Sequence, residues 1–274
     1  MNILDKLKSI DRRIIFVLIA LTVILPILHP IGLPVRVSEP VRKLYEAIEA
    51  LPPGSRVLIS LDYDPATFPE VYPMNLAVVR HCFAKDLKVV AMALWPMGPS
   101  LGEMAFDVAA KEYNKEYGKD YVNLGYKIGG IVVIAQVAKA LREAFPLDQL
   151  GTPIDSLPIM DGVTGFKDFK FIVDFSAGDP GIPYWVMIAS SRYHMPLGAG
   201  CTAVSAPNFY PYLAAGQLVG LLGGMKGAAE YEKLVKASGL ATSGMDAQSI
   251  AHAVIVFFIV FGNVIYFMTR RRRP

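Results

Sequence analysis

Two long apolar runs stand near the ends of the chain, and shorter apolar runs of strand length recur between them. From Ile14 to Leu25 the sequence reads IIFVLIALTVIL, polar only at Thr22, and low polarity continues through PILHPIGL. A helix needs ~20 apolar residues to cross ~30 Å of hydrocarbon. Residues 14–33 are therefore expected to form a transmembrane anchor, kinked or ended by Pro26 and Pro30. A cleaved signal peptide shares the basic start and apolar core, but no small-x-small cleavage site follows, which favours a retained anchor. The second run, residues 250–268, is IAHAVIVFFIVFGNVIYFM and stops against four arginines, so it is expected to be a transmembrane helix.

The stretch between, residues 34–249, has the size of one domain. Ser38 and Pro40 open a short amphipathic helix with Val41, Leu44, Tyr45 and Ile48 on one face. Bounded apolar runs at 56–63 (RVLISLDY), 88–94 (KVVAMAL) and 169–175 (FKFIVDF) read as strands, and the glycine-rich 197–205 as a weaker fourth. Helical patterns separate them. Ser100 with Glu103 has the spacing of a capping box opening a helix that lasts to Gly118. A second helix covers Gly130 to Phe145. A third, AAEYEKLVKAS, ends at Gly239, with Glu232 and Lys236 spaced for an ion pair. Near-continuous apolar strands alternating with helices predict a three-layer α/β domain around a mainly parallel sheet, flanked by one N-terminal and one C-terminal transmembrane helix.

Charge sets the orientation. The hydrophobic share of 53% and charged share of 19% put part of the chain in lipid. Lys6, Lys8, Arg12 and Arg13 outweigh Asp5 and Asp11, and Arg270 to Arg273 form the tail, so the ends carry +2 and +4 of a net +3. Cationic flanks stay in the cytoplasm, which places residues 1–13 and 269–274 inside, despite Arg36, Arg42 and Lys43 beyond the first run. The expectation is a two-pass protein of the cell (inner) membrane with its central domain extracytoplasmic. That domain carries −3, which argues against nucleic acid as a partner. Cys82 and Cys201 then lie in an oxidising space, as a disulfide or as two buried thiols.

In open parallel sheets ligands bind beyond the carboxyl ends of the strands. Asp62 and Asp64 stand at the first such end, and Asp174 and Asp179 at or beyond the third. With a hydroxyl from Thr202 or Ser205 they have the hard oxygen ligands of a Mg²⁺ or Ca²⁺ site. The competing reading is that aspartates before prolines start turns and cap helices. The string LDYDPAT resembles the Asp-x-Asp nucleophile loop of haloacid-dehalogenase-type phosphatases, and that resemblance implies a metal-assisted hydrolase centred on Asp62 and Asp64. It covers only these few residues, and no convincing lysine and acidic pair follows at downstream strand ends. Cys201 follows a strand-like run as a nucleophile would, with His81 or His194 as candidate bases. Neither Gly125–Gly130 nor Gly178–Gly181 has the spacing of a phosphate loop.

Gly216, Gly220 and Gly224 recur every fourth residue and would make a close-packing helix face, and Gly262 with Asn263 would do so in the second span. Aromatic clusters at Trp95–Pro99, Tyr184–Trp185 and Phe209–Tyr212 suit a recognition surface. Together these features point to a membrane-anchored scaffold or accessory subunit that assembles with itself, as a homo-oligomer, or with other membrane proteins of an envelope complex. On that reading no cofactor is needed. A divalent metal enters only with the hydrolase alternative, and a ligand sensor is the third reading.

Overall fold

The computed structural model describes residues 11–237 and 239–270. Two units divide the chain: Val35–Ala241, and the two ends together.

The first unit is a six-stranded, wholly parallel sheet in the order β3-β2-β1-β4-β5-β6. Its strands are β1 (Arg56–Asp62), β2 (Lys88–Ala93), β3 (Tyr121–Tyr126), β4 (Phe171–Ser176), β5 (Leu197–Cys201) and β6 (Gly220–Gly223). The order reverses between β1 and β4, so this is a doubly wound sheet with its switch point at those two strands. The expected α/β class and parallel sheet are therefore what the chain adopts.

Side chains alternate between the two faces. Leu58, Val90, Val122, Ile172 and Leu197 point to one face, beneath α5 (Ile131–Ala144), α6 (Ile182–Trp185) and a π-helical continuation at Val186–Arg192. Val57, Ile59, Val89 and Phe171 point to the other, which is covered by α2 (Glu39–Glu49), α3 (Phe68–Ala84), α4 (Gly98–Tyr113) and α8 (Gly224–Leu234). A short α7 (Tyr210–Ala214) precedes β6.

Several local expectations are corrected. The helix opening near Ser100 starts at Gly98, and the capping box does not form. The Ser100 hydroxyl instead donates back to the Met97 carbonyl at 3.0 Å, and Glu103 accepts from the Asn123 amide at 3.2 Å. That helix ends at Tyr113 because Asn114 takes a left-handed conformation, φ 52°. α8 ends at Leu234, and Lys236 lies beyond it at φ 56°, off the helix face that would pair it with Glu232. The buried Glu232 carboxylate accepts from the Gly239 and Ala241 amides at 3.0 and 3.1 Å, capping the start of the next helix, α9 (Leu240–Arg270). That cap lets α9 begin ten residues before the span expected at 250.

The glycine row is not a helix face either. Gly216 sits in a turn at φ 70°, Gly220 lies in β6, and Gly224 opens α8 at φ 61°. A Cβ on Gly220 would stand 2.5 Å from the Pro40 carbonyl oxygen and 2.6 Å from the Leu44 nitrogen. The missing side chain thus lets α2 lie directly on the edge strand, a close approach made inside the chain.

In the second unit, α1 (Arg12–Leu28) has 17 residues and covers ~26 Å at 1.5 Å per residue. Among the described residues one helix, over Leu240–Met268, is long and apolar enough to cross a membrane, with mean hydropathy 2.3. The basic residues expected to orient the chain at Lys6, Lys8 and Arg271 to Arg273 lie outside the described residues. The buried carboxylate of Asp246 accepts three consecutive backbone N–H groups, from Ile31, Gly32 and Leu33, at 2.9, 2.7 and 2.9 Å. The segment after α1 is tied to α9 by that one side chain.

Substituting Gly220→Ala forces α2 off β6 and is expected to lower stability by about 1–3 kcal/mol, read as the midpoint of chemical unfolding in detergent. An unchanged midpoint would mean that α2 yields freely at this contact.

Candidate functional site

The switch point brings two of the predicted aspartates together. Ser60 pairs with Asp174 and Asp62 with Ser176 across β1 and β4. Because alternate residues share a face, Ser60, Asp62, Asp174 and Ser176 form one polar quartet on an otherwise apolar face. All four are buried. Asp62 accepts from the Leu94 amide at 2.6 Å, the Ser60 hydroxyl at 2.7 Å and the Trp185 indole N–H at 3.2 Å. These donors come from the end of β2, from β1 itself and from α6, so the carboxylate joins three elements.

Asp174 is different. With both carboxyls ionised its two oxygens have no hydrogen-bond partner. A proton on Asp174 supplies the missing donor, directed at Asp62. Burial pushes the Asp174 pKa well above the usual carboxylate range, and the charge on Asp62 pushes it further. Burial also raises Asp62, to about 6, against the lowering effect of its hydrogen bonds. Each carboxyl is therefore harder to ionise than a free aspartate, and the two titrate as a pair.

The other predicted carboxylates do not join this pair. Asp64 accepts from the Ala66 and Thr67 amides at 3.0 and 3.3 Å, closing its own turn before α3. Asp179 is exposed in the loop after β4, where the Tyr184 hydroxyl approaches it at 3.5 Å. Thr202 donates to the Ser205 hydroxyl at 3.1 Å, again within one turn. Among the described residues no three histidine, cysteine, aspartate or glutamate side chains gather as metal ligands.

The cysteines are separate, buried thiols. Cys201 is on the quartet's face, paired across the sheet with Ser176, whereas Cys82 is on α3 on the opposite side. Burial pushes both pKa values up to about 12, with the charges of Asp174 and Glu70 adding to the effect at Cys201. A thiol so protonated is no nucleophile at neutral pH. His81, the first candidate base, is in the other layer, stacked on Tyr45 and hydrogen-bonded to Tyr231 and Glu49 at 2.7 and 2.8 Å. Burial lowers its pKa. His194 lies in a turn at φ 52° before β5.

Several positioning groups escaped sequence reasoning. Ser60 and Ser176 mirror each other as Ser-x-Asp in β1 and Asp-x-Ser in β4, a polar period of two inside apolar runs that marks one buried face. Glu70, in the first turn of α3, accepts from the Ala203 amide at 2.8 Å and fixes the loop after β5. Trp185 was legible only as an aromatic, not as the partner of Asp62.

Open space lies beside the quartet. A cleft of about 360 Å³ is lined by Leu94, Tyr126, Gly130, Asp179, Pro180 and Tyr184. A second, of about 590 Å³, is lined by Pro99, Tyr126, Lys127, Phe145, Leu147 and Asp148. Tyr126, at the end of β3, lines both. Trp95 braces the rim by donating its indole N–H to the Pro180 carbonyl at 2.8 Å.

No family model matches the chain. No curated protein matches it either. Among solved structures, a trehalose-6-phosphate synthase, OtsA, aligns over 89% of this chain and 48% of its own, with 9% identity and a TM-score of 0.32. The chain thus spans about half the length of that enzyme. A likeness of that grade carries no argument about function.

The native pair binds more protons than the unfolded chain between the ordinary aspartate pKa, ~3.9, and its raised folded values, so stability falls as pH rises through that window. Replacing Asp174→Asn removes the ionisable group and keeps an N–H donor for Asp62. It is expected to flatten this dependence and to leave the protein at least as stable at pH 7.5. Unfolding midpoints in detergent from pH 4.5 to 8 check it. Removing Asp62 by Asp62→Ala strands buried donors and is expected to cost about 2–4 kcal/mol at pH 5, and less as pH rises through the raised Asp62 pKa.

Proposed function

We propose that the protein is a membrane-anchored accessory subunit whose α/β domain binds a partner protein at the carboxyl edge of its sheet. On this reading α9 crosses the membrane, α1 is the second anchor, both termini are cytoplasmic and the domain is extracytoplasmic. The protein serves in an envelope complex, assembling with itself or with other membrane proteins.

The observation that carries the reading is the apolar rim of the two clefts. Ile128 is 81% exposed, and Val132 and Leu150 are each 68% exposed. Tyr126, Met97 and Leu147 are also exposed around the same edge. Doubly wound sheets bind their ligands at this edge, and apolar side chains concentrated on a soluble surface are a feature of interaction sites. The rigid rings of Trp95, Tyr126 and Tyr184 add area at small entropic cost.

The hydrolase alternative is weaker. It needs Asp62 and Asp64 to act together on a substrate, but the first is enclosed and hydrogen-bonded by three donors and the second closes its own turn.

Two measurements test the proposal. A cysteine placed at the exposed position Lys119→Cys should react with an impermeant maleimide in intact cells; labelling only after lysis puts the domain in the cytoplasm. The double variant Ile128→Glu with Leu150→Glu should keep its thermal midpoint yet lose most of the protein that copurifies from native membranes. Unchanged copurification would remove the carboxyl edge as the binding surface.

A further inference from the structure

The polar residues of α9 fall into a pattern of their own. The covered positions of the helix are Ala247, Ala251, Val254, Phe258, Phe261 and Ile265, spaced three or four apart along one face. α1, the other helix of this unit, carries a comparable covered stripe at Ile15, Ile19, Thr22, Val23 and Pro26. On the opposite face of α9 lie Ser249, His252, Val256, Ile259, Asn263 and Tyr266, all exposed. Their spacing is 3, 4, 3, 4, 3, an unbroken heptad seam. Ser249, His252 and Asn263 therefore point away from the covered stripe, although each polar group would be cheaper in lipid if turned inward.

Asn263 shows what is missing. Its amide donates one N–H to the Ile259 carbonyl of its own helix at 2.7 Å. Its second N–H and its carbonyl oxygen have no hydrogen bond among the described residues. α1 does not supply a donor, because Thr22, the polar residue of its apolar stretch, gives its hydroxyl proton to the Ile19 carbonyl at 2.8 Å. In hydrocarbon these groups need a partner helix.

We propose that the partner is α9 of a second copy, packed in parallel along this seam. Copies inserted by the same rules share one orientation, so a parallel pair has a two-fold axis along the membrane normal and brings each seam residue to its own counterpart. A carboxamide is self-complementary: two Asn263 side chains exchange N–H and carbonyl reciprocally and pair the groups left open within one chain. Val256 and Ile259, midway along the seam, supply the apolar knobs between its polar ends, and a single asparagine in such a seam fixes the register. Gly262 has no atom within 4 Å of a built Cβ and leaves that flank open to close approach. This deepens the self-assembly part of the proposed function and rests on α9 crossing the membrane.

The test is cross-linking of the full chain in native membranes. Cys82 and Cys201 are buried and give little background. Under mild oxidation Val256→Cys and Ile259→Cys are expected to give a species of twice the 29.9 kDa chain mass, while Val254→Cys on the covered stripe stays monomeric. Adding Asn263→Leu to Val256→Cys should lower the dimer association roughly three- to fifteenfold, the range of one interhelical polar contact in a bilayer. Equal cross-linking from Val254→Cys, none from the seam, an adduct of another mass, or no effect of Asn263→Leu would each overturn the proposal. Release of the protein by alkaline carbonate would instead remove the span on which it rests. The carboxyl-edge variant Ile128→Glu with Leu150→Glu leaves α9 untouched, so the two readings fail separately.

Discussion

A carboxylate that cannot reach water must find its donors in the protein, and Asp62 sits where that need organises the sheet. Burying an ion costs several kcal/mol unless it is well hydrogen-bonded. Asp62 meets the requirement with donors from β1, the end of β2 and α6. Its backbone carbonyl also accepts from the Ala177 amide at 3.0 Å, which extends the pairing of β1 with β4 by one residue. The switch point is therefore closed by its own chemistry: Trp185 is pinned over it, and burial drives Asp174 beside it toward its neutral form. What lies open is displaced toward the ends of β2 and β3, where Tyr126 separates two clefts. The polar quartet closes the switch point, and the neighbouring rim is the surface we propose for a partner.

How far the sequence told this in advance depends on whether a segment's local pattern agreed with its environment. β1, β2 and β4 are apolar runs with clear boundaries and read correctly as parallel strands, whereas the glycine-rich β5 was read more weakly and ends at Cys201, four residues before the expected 205. β3 was missed because YVNLGY carries Asn123 and Gly125; the asparagine side chain is buried and satisfied by the Pro99 carbonyl at 3.0 Å, a contact no periodicity reveals. α3 was missed for the opposite reason. It is buried nearly all round, so it has no polar face to give a helical period, and Pro69 and Pro73 in its first turns look like breakers. β6 was hidden inside a glycine spacing that suggested a helix. Of the candidate site, Asp62 and Asp174 were placed correctly at strand ends, but strand-end position alone does not separate a carboxylate turned into the sheet from one, like Asp64, that closes a turn.

The glycines show the same ambiguity from another side. A glycine permits close approach without naming what approaches. At Gly220 the neighbour is α2 of the same chain; at Gly98 a Cβ would meet the Leu61 carbonyl, which sets α4 against the end of β1. At these two positions the small residue is used by the domain's own packing, so its spacing carries no information about a partner.

Polar residues in an apolar helix carry more, because each must be accounted for. Asp246 and Asn263 lie on the same helix and reach opposite outcomes. Asp246 is buried, and three consecutive amides of the same chain donate to it. Both its oxygens are thus engaged within the chain, and it serves to hold the segment after α1 against α9. Asn263 is exposed and half satisfied, and it lies in the same seam as Ser249 and His252. Lipid tails supply no hydrogen bonds and little drive for helices to associate, so in a bilayer the free groups of an amide become the specific part of recognition. A face whose polar residues flank an apolar middle is inexpensive when it meets its own image and costly against lipid or an apolar helix. On the proposed pairing, what separates the polar residue that closes the chain on itself from the one that opens it to a neighbour is how many of its hydrogen-bonding groups the chain has already used.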